Sequence, residues 1–74
     1  MAQLPVLSGR AVVRALGRIG YRVDRQRGSH VILRHEDPPY RRITVPDHAE
    51  LAKGTLRAIL RQAGLTVIEL RSLL

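Results

Sequence analysis

The chain has 74 residues, a formal net charge of +7 and no cysteine. A chain of that length makes one domain, expected here over residues 1–74, and buries only about 60% of the surface its unfolded form exposes. The lack of cysteine excludes disulfides, thiol catalysis and cysteine zinc sites. No apolar run is long enough for a signal peptide or a membrane span, so a cytoplasmic protein without membrane contact is expected.

The apolar share of 45% is that of a globular chain, yet there is no Phe and no Trp. The core must therefore be aliphatic. Of the thirteen Lys and Arg, all but Lys53 are Arg, the side chain whose planar fork grips phosphate. Charge of this density attracts polyanions without specifying a fold. A merely solvated basic surface is the alternative.

Ser8 suits a helix N-cap, and Leu7 before it is placed to pack on Val12. Val12, Val13, Leu16 and Ile19 recur at helical spacing, with Arg10, Arg14 and Arg18 four apart on the other side. Gly20 suits the end of that helix. From Tyr21 the period becomes two: Tyr21, Val23 and Arg25 alternate with Arg22, Asp24 and Gln26, which reads as a strand. Gly28 marks a tight turn. Ser29 to His35 is a second strand with an apolar centre, Asp37-Pro38-Pro39 a loop, and Tyr40 to Val45 a third strand stopped by Pro46. Connections this short dictate an antiparallel meander. A second helix runs from about Gly54 to Ala63 and ends at Gly64, with Leu56, Ile59, Leu60 and Ala63 inward and Lys53, Arg57 and Arg61 outward. Thr66 to Glu69 reads as a capping box opening a short extra C-terminal helix. The expected fold is α+β: a two-layer α-β-β-β-α domain with helices on one face of a three-stranded antiparallel sheet.

Such a sheet leaves its other face open. If Val31 and Leu33 pack on the helices, His30 and Arg34 face outward beside Arg25 or Arg27. Guanidinium groups around an imidazole favour its neutral form. A neutral imidazole can take the proton of a ribose 2′-hydroxyl as general base, while arginines neutralise the charge building on the phosphate. DNA lacks that hydroxyl, so the chemistry would be RNA-specific, with a 2′,3′-cyclic phosphate as product. The plainer reading of His30 is an ordinary strand histidine at a hairpin. His35, beside Glu36, reads as half of a surface ion pair, and His48 as a loop or cap residue or a second proton-transfer group. Three histidines so scattered do not make a metal site, and no small-molecule cofactor is indicated. Lys53 and Gly54 at the start of the second helix suit a phosphate, although Gly54 as a plain cap beside a solvated lysine is equally open.

The segment Arg25-Gln26-Arg27-Gly28-Ser29-His30 resembles the RQ(K/R)GSH signature of the HicA (YcfA-type) toxins. Val45-Pro46-Asp47-His48, then Lys53-Gly54-Thr55-Leu56 and Ile59 to Leu65, resemble that family's second half. The likeness runs from Ser8 through Leu65. It implies a double-stranded-RNA-binding-domain-like fold, metal-independent cleavage of translated mRNA, and a HicB-type antitoxin that masks the active site. It also makes His30, the histidine after Gly-Ser, the catalytic residue. Arg25, Arg27, Arg34, Lys53 and Arg57 are then expected to contact RNA, with Ser29 in a positioning role. The aliphatic Ile32 on the open face is the expected footing for the antitoxin. A non-catalytic RNA-binding module of the same fold is the alternative. DNA binding is disfavoured because no helix-turn-helix is visible. Binding through phosphate should weaken steeply between about 50 and 200 mM salt.

Overall fold

The computed structural model describes residues 3–74; Met1 and Ala2, part of the expected domain, lie outside the described residues. Its elements follow in the order α1 (Gly9–Gly17), β1 (Tyr21–Arg27), β2 (His30–His35), β3 (Arg42–Pro46), α2 (Lys53–Ala63) and α3 (Val67–Ser72). The strands form one antiparallel sheet in the order β1-β2-β3. This is the α-β-β-β-α layout with an added terminal helix.

Ser8 caps α1 as expected, its hydroxyl accepting the Ala11 amide at 3.1 Å. Val12, Ala15 and Leu16 are buried, and Leu7 packs half-buried against the same core. The helix stops earlier than its apolar spacing suggests, at Gly17 with Arg18 as C-cap. Tighter bonds follow, from the Ile19 amide to the Leu16 carbonyl and from Gly20 to Gly17. Gly20, at φ 102°, then turns the chain into β1.

Residues directly opposite in an antiparallel pair share a side of the sheet. Val31 opposite Val45 and Leu33 opposite Ile43 form the buried side, packed under α1 and α2. Tyr21 and His35 join them as a T-shaped pair with ring centroids 4.8 Å apart. β1 departs from simple alternation. Val23 faces Leu33 but Arg25 faces Ile32, so Asp24 is the extra residue of a bulge. A bulge flips the alternation beyond it. Gln26 thus lands on the helix side opposite Val31, and Arg25, which plain alternation puts with Tyr21 and Val23, joins Arg27 on the open side.

β2 begins at His30 rather than Ser29, because Gly28 (φ 55°) and Ser29 form the two-residue turn between Arg27 and its partner His30. A positive φ at the first turn position is what such a hairpin asks of glycine. The third strand begins at Arg42, two residues late. Tyr40 is not extended: it sits at φ 58°, its amide bonded to the Asp37 carbonyl at 2.8 Å. Strain of that kind in a non-glycine residue costs about 1–3 kcal/mol. Pro46 is the last strand residue, opposite His30, rather than a stop before it.

α2 buries Leu56, Ile59 and Leu60, half-buries Ala63, and ends at Gly64 in the left-handed region. Its N-cap is Ala52, without a side-chain cap bond, so Gly54 is not the cap. α3 opens on the expected capping box, and Leu70 beneath it is fully buried. Hydrogen bonds from the Thr66 amide and then its hydroxyl hold the exposed Glu69 carboxyl below its ordinary pKa. A depressed carboxyl stabilises the fold above its unfolded pKa, and this small contribution fades as pH falls through the folded value. Among the described residues no helix is long and apolar enough to cross a membrane.

Candidate functional site

The open side of the sheet is built in rows by the strand register. The row nearest the β1–β2 turn holds Arg27, His30 and Pro46. The next holds Arg25, Ile32 and Thr44, and the third Arg22, Arg34 and Arg42. Three of the expected RNA-contacting arginines, Arg25, Arg27 and Arg34, therefore lie on one surface with His30. All four side chains are exposed. Arg42 and Arg22 extend the surface, although Arg22 is partly occupied by an ion pair to Glu36 at 3.4 Å and a bond to the Gly17 carbonyl. Ile32 is half-buried between its flanking residues rather than a fully open aliphatic spot.

The turn that carries His30 is tied down from the helix side. The Ser29 carbonyl accepts the Asp47 amide at 2.6 Å. The Gln26 side-chain amide donates to the Gly28 carbonyl at 3.0 Å and to one Asp47 oxygen at 3.3 Å. The other Asp47 oxygen takes Arg10 from α1 at 3.3 Å. Ser29 thus acts here through its backbone. Gln26 and Asp47 both sit in the recognised segments, but nothing in their sequence spacing signals that they meet. The bulge brings them together by sending Gln26 to the helix side.

Lys53 and Arg57 lie on α2, in the layer behind the sheet, and are exposed. Lys53 nevertheless starts its helix at the His30 end of the molecule. The connector from Pro46 runs past α1 there, with the Gly9 amide bonded to the His48 carbonyl and the Leu51 amide to the Leu7 carbonyl. Arg57 is one turn further away, so neither shares the open sheet surface. His48 is exposed on that connector.

His35 is not the ion-pairing residue its neighbour Glu36 suggests. Its Nδ1 accepts the Asp37 amide at 3.1 Å, which leaves the hydrogen on Nε2 to be donated to the Ile19 carbonyl at 2.7 Å. Both ring nitrogens are used up in joining the end of α1 to the loop after β2. His35→Ala should lose both bonds and the Tyr21 contact, costing about 2 kcal/mol. In thermal unfolding the midpoint should drop by roughly 8–16 °C. The three histidines do not gather with acids into a metal-ligand group among the described residues.

A family model described as "HicA toxin of bacterial toxin-antitoxin" matches residues 9–65, from the first residue of α1 to just past α2. The chain belongs to the HicA toxin family. No curated protein matches it. The stretch recognised as HicA includes every residue of the His30 rows, the Gly28-Ser29 turn, and both Gln26 and Asp47, and it leaves out residues 1–8 and 66–74. Membership makes the protein a toxin of a toxin–antitoxin system and gives it an antitoxin partner.

Proposed function

We propose that this HicA protein is an endoribonuclease that cuts translated mRNA, with His30 as its general acid/base. The observation that carries the reading is the register. An exposed imidazole stands opposite Arg27, with Arg25 one row along and Arg34 two. A neutral His30 removes the proton from a ribose 2′-hydroxyl, and the 2′-oxygen attacks the adjacent phosphorus. The bond to the 5′-oxygen breaks, and that oxygen leaves with a proton returned by the imidazolium. The ends are a 2′,3′-cyclic phosphate and a 5′-hydroxyl. Arg25 and Arg27 offset the charge gathering on the phosphate, Arg34 two rows away extends the cationic surface along the strand, while Lys53 and Arg57 guide the strand as it leaves the site. The scheme draws on no metal or small-molecule cofactor. Its substrate places the protein in the cytoplasm, and a HicB-type antitoxin would silence it by covering the same face around Ile32.

The test is to incubate the purified chain with single-stranded RNA in excess chelator and map the new ends. Cyclic-phosphate and 5′-hydroxyl ends, with DNA of the same sequence left whole, are expected. RNA that is bound but stays intact would replace this reading with that of a non-catalytic RNA-binding module.

A further inference from the structure

At the end of β1 and β2 far from His30 lies a hollow of about 350 Å³, lined from the open face by Arg22, Asp24, Arg34, Glu36 and Tyr40 and reaching Val23 and His35 at the strand edge. That is within the range of small-ligand clefts. Three observations single it out. Arg34 lies over the Tyr40 ring, its guanidinium carbon 4.6 Å from the centroid. Tyr40 keeps its left-handed backbone and stays 45% exposed, so the strain does not serve to bury the ring. And two carboxylates stand in an otherwise cationic surface. Asp24 is put there by the bulge and has no ion-pair partner among the described residues, while Glu36 pairs only with Arg22.

Carboxylates weaken the attraction of a basic surface for phosphate, so phosphate binding alone does not account for them. A nucleobase does. Arg guanidinium planes and aromatic rings are stacking platforms for unpaired bases. A carboxylate beside such a platform accepts from an exocyclic amino group. Adenine, cytosine and guanine carry that group and uracil does not.

We infer that this hollow is a base-reading subsite: one base of a single-stranded RNA stacks on Arg34 and Tyr40, and Asp24, helped by Glu36, selects bases with an exocyclic amino group over uracil. The inference rests on the RNA-cutting reading above. His30 and Arg34 are four residues apart on β2, roughly 13 Å at strand rise. The base that is read therefore lies within about four stacked nucleotides of the scissile phosphate.

The experiment measures affinity of the purified chain for 2′-O-methyl hexanucleotides of A, C and U, which bind without being cut. The quantity read is the ratio of each affinity to that for U. For the unaltered chain, A and C should exceed U by at least about fivefold, the low end for one good base-edge contact. Asp24→Ala with Glu36→Ala should bring the ratios near one, with the affinity for U raised because negative charge is lost. Tyr40→Ala should weaken all three. Melting curves confirm that each variant is folded. Ratios near one in the unaltered chain, or a preference that survives loss of both carboxylates, would overturn the subsite. So would variants that lose antitoxin binding with unchanged ratios, which would make the hollow a protein-docking surface. A chain that discriminates in this assay yet never cuts RNA keeps the subsite and loses the nuclease reading. One that cuts RNA without discriminating does the reverse.

Discussion

Replacing His30 with alanine is expected to lower RNA cleavage by about 10²–10⁴-fold, the span of general acid–base catalysis. Affinity for uncut RNA should stay close to that of the unaltered chain. His30 is exposed and not part of the core, so its loss costs little stability. The arginines proposed to hold phosphate are separate residues of the same open face. His30→Gln should be as inactive as the alanine variant, because an amide keeps hydrogen bonding but cannot carry a proton through the reaction. Added imidazole should restore part of the cleavage to His30→Ala and none to a variant that is merely misfolded. Induced in cells, the unaltered chain should arrest growth and fragment a reporter message, and His30→Ala should do neither. Loss of RNA binding together with cleavage would instead make His30 a structural support of the turn. Persistent cleavage would move the proton transfer to another group, with His48 beyond the Pro46 that faces His30 the next to test.

The element order was legible in the sequence because each element carries its own local signal. Ser8 and Thr66 act as side-chain caps, Gly28 and Gly64 take positive φ where turn and helix end need it, and the buried positions of α2 follow helical spacing. These are properties of a few neighbouring residues. What stayed hidden depends on pairing between strands. Counting by twos along β1 puts Arg25 with Tyr21, and only the pairing with β2 shows Asp24 as an inserted residue. That one insertion decides that Arg25 and Arg27 both share His30's side while Gln26 reaches Asp47. Likewise, His35 next to Glu36 invites an ion pair, but the partners it uses come from the end of α1 and the following loop. The sequence pattern puts Tyr40 in the third strand for a related reason. Its neighbours alternate well enough, and its left-handed backbone comes from a turn bond to Asp37 that no periodicity records. The candidate nuclease residue was thus readable from its motif, while the groups that hold and extend its site were not.

Gly9→Ala should destabilise the fold by about 3 kcal/mol, at or beyond the upper end of overpacking costs. The midpoint of thermal unfolding should fall by roughly 12–24 °C in a chain of this size. The sign runs against helix propensity. At an unhindered helix position the change from glycine to alanine gains about 0.5–1 kcal/mol, and Gly54, with nothing within 4 Å of an added Cβ, is such a position. A Cβ at Gly9 would overlap the Pro46 carbonyl oxygen and crowd its carbon and the Asp47 Cα. All three are backbone atoms, so no side chain can swing aside. The Pro46–Asp47 backbone is itself pinned, by pairing with His30, by the bond from Asp47 to Ser29, and by the Gly9 amide on the His48 carbonyl. Either α1 lifts off the connector, which strips cover from Val12 and its neighbours, or the connector shifts and carries the Gly28-Ser29 turn with it. Paired melting curves for Gly9→Ala and Gly54→Ala distinguish this from a general glycine effect, since their shifts should have opposite signs. Cleavage measured well below the Gly9→Ala midpoint then separates the two responses. Normal activity means that the helix has moved, and weak activity in a folded protein means that the strain has reached the turn beneath His30. A midpoint unchanged by Gly9→Ala would show that the close approach of α1 to Pro46 is not a feature of the fold.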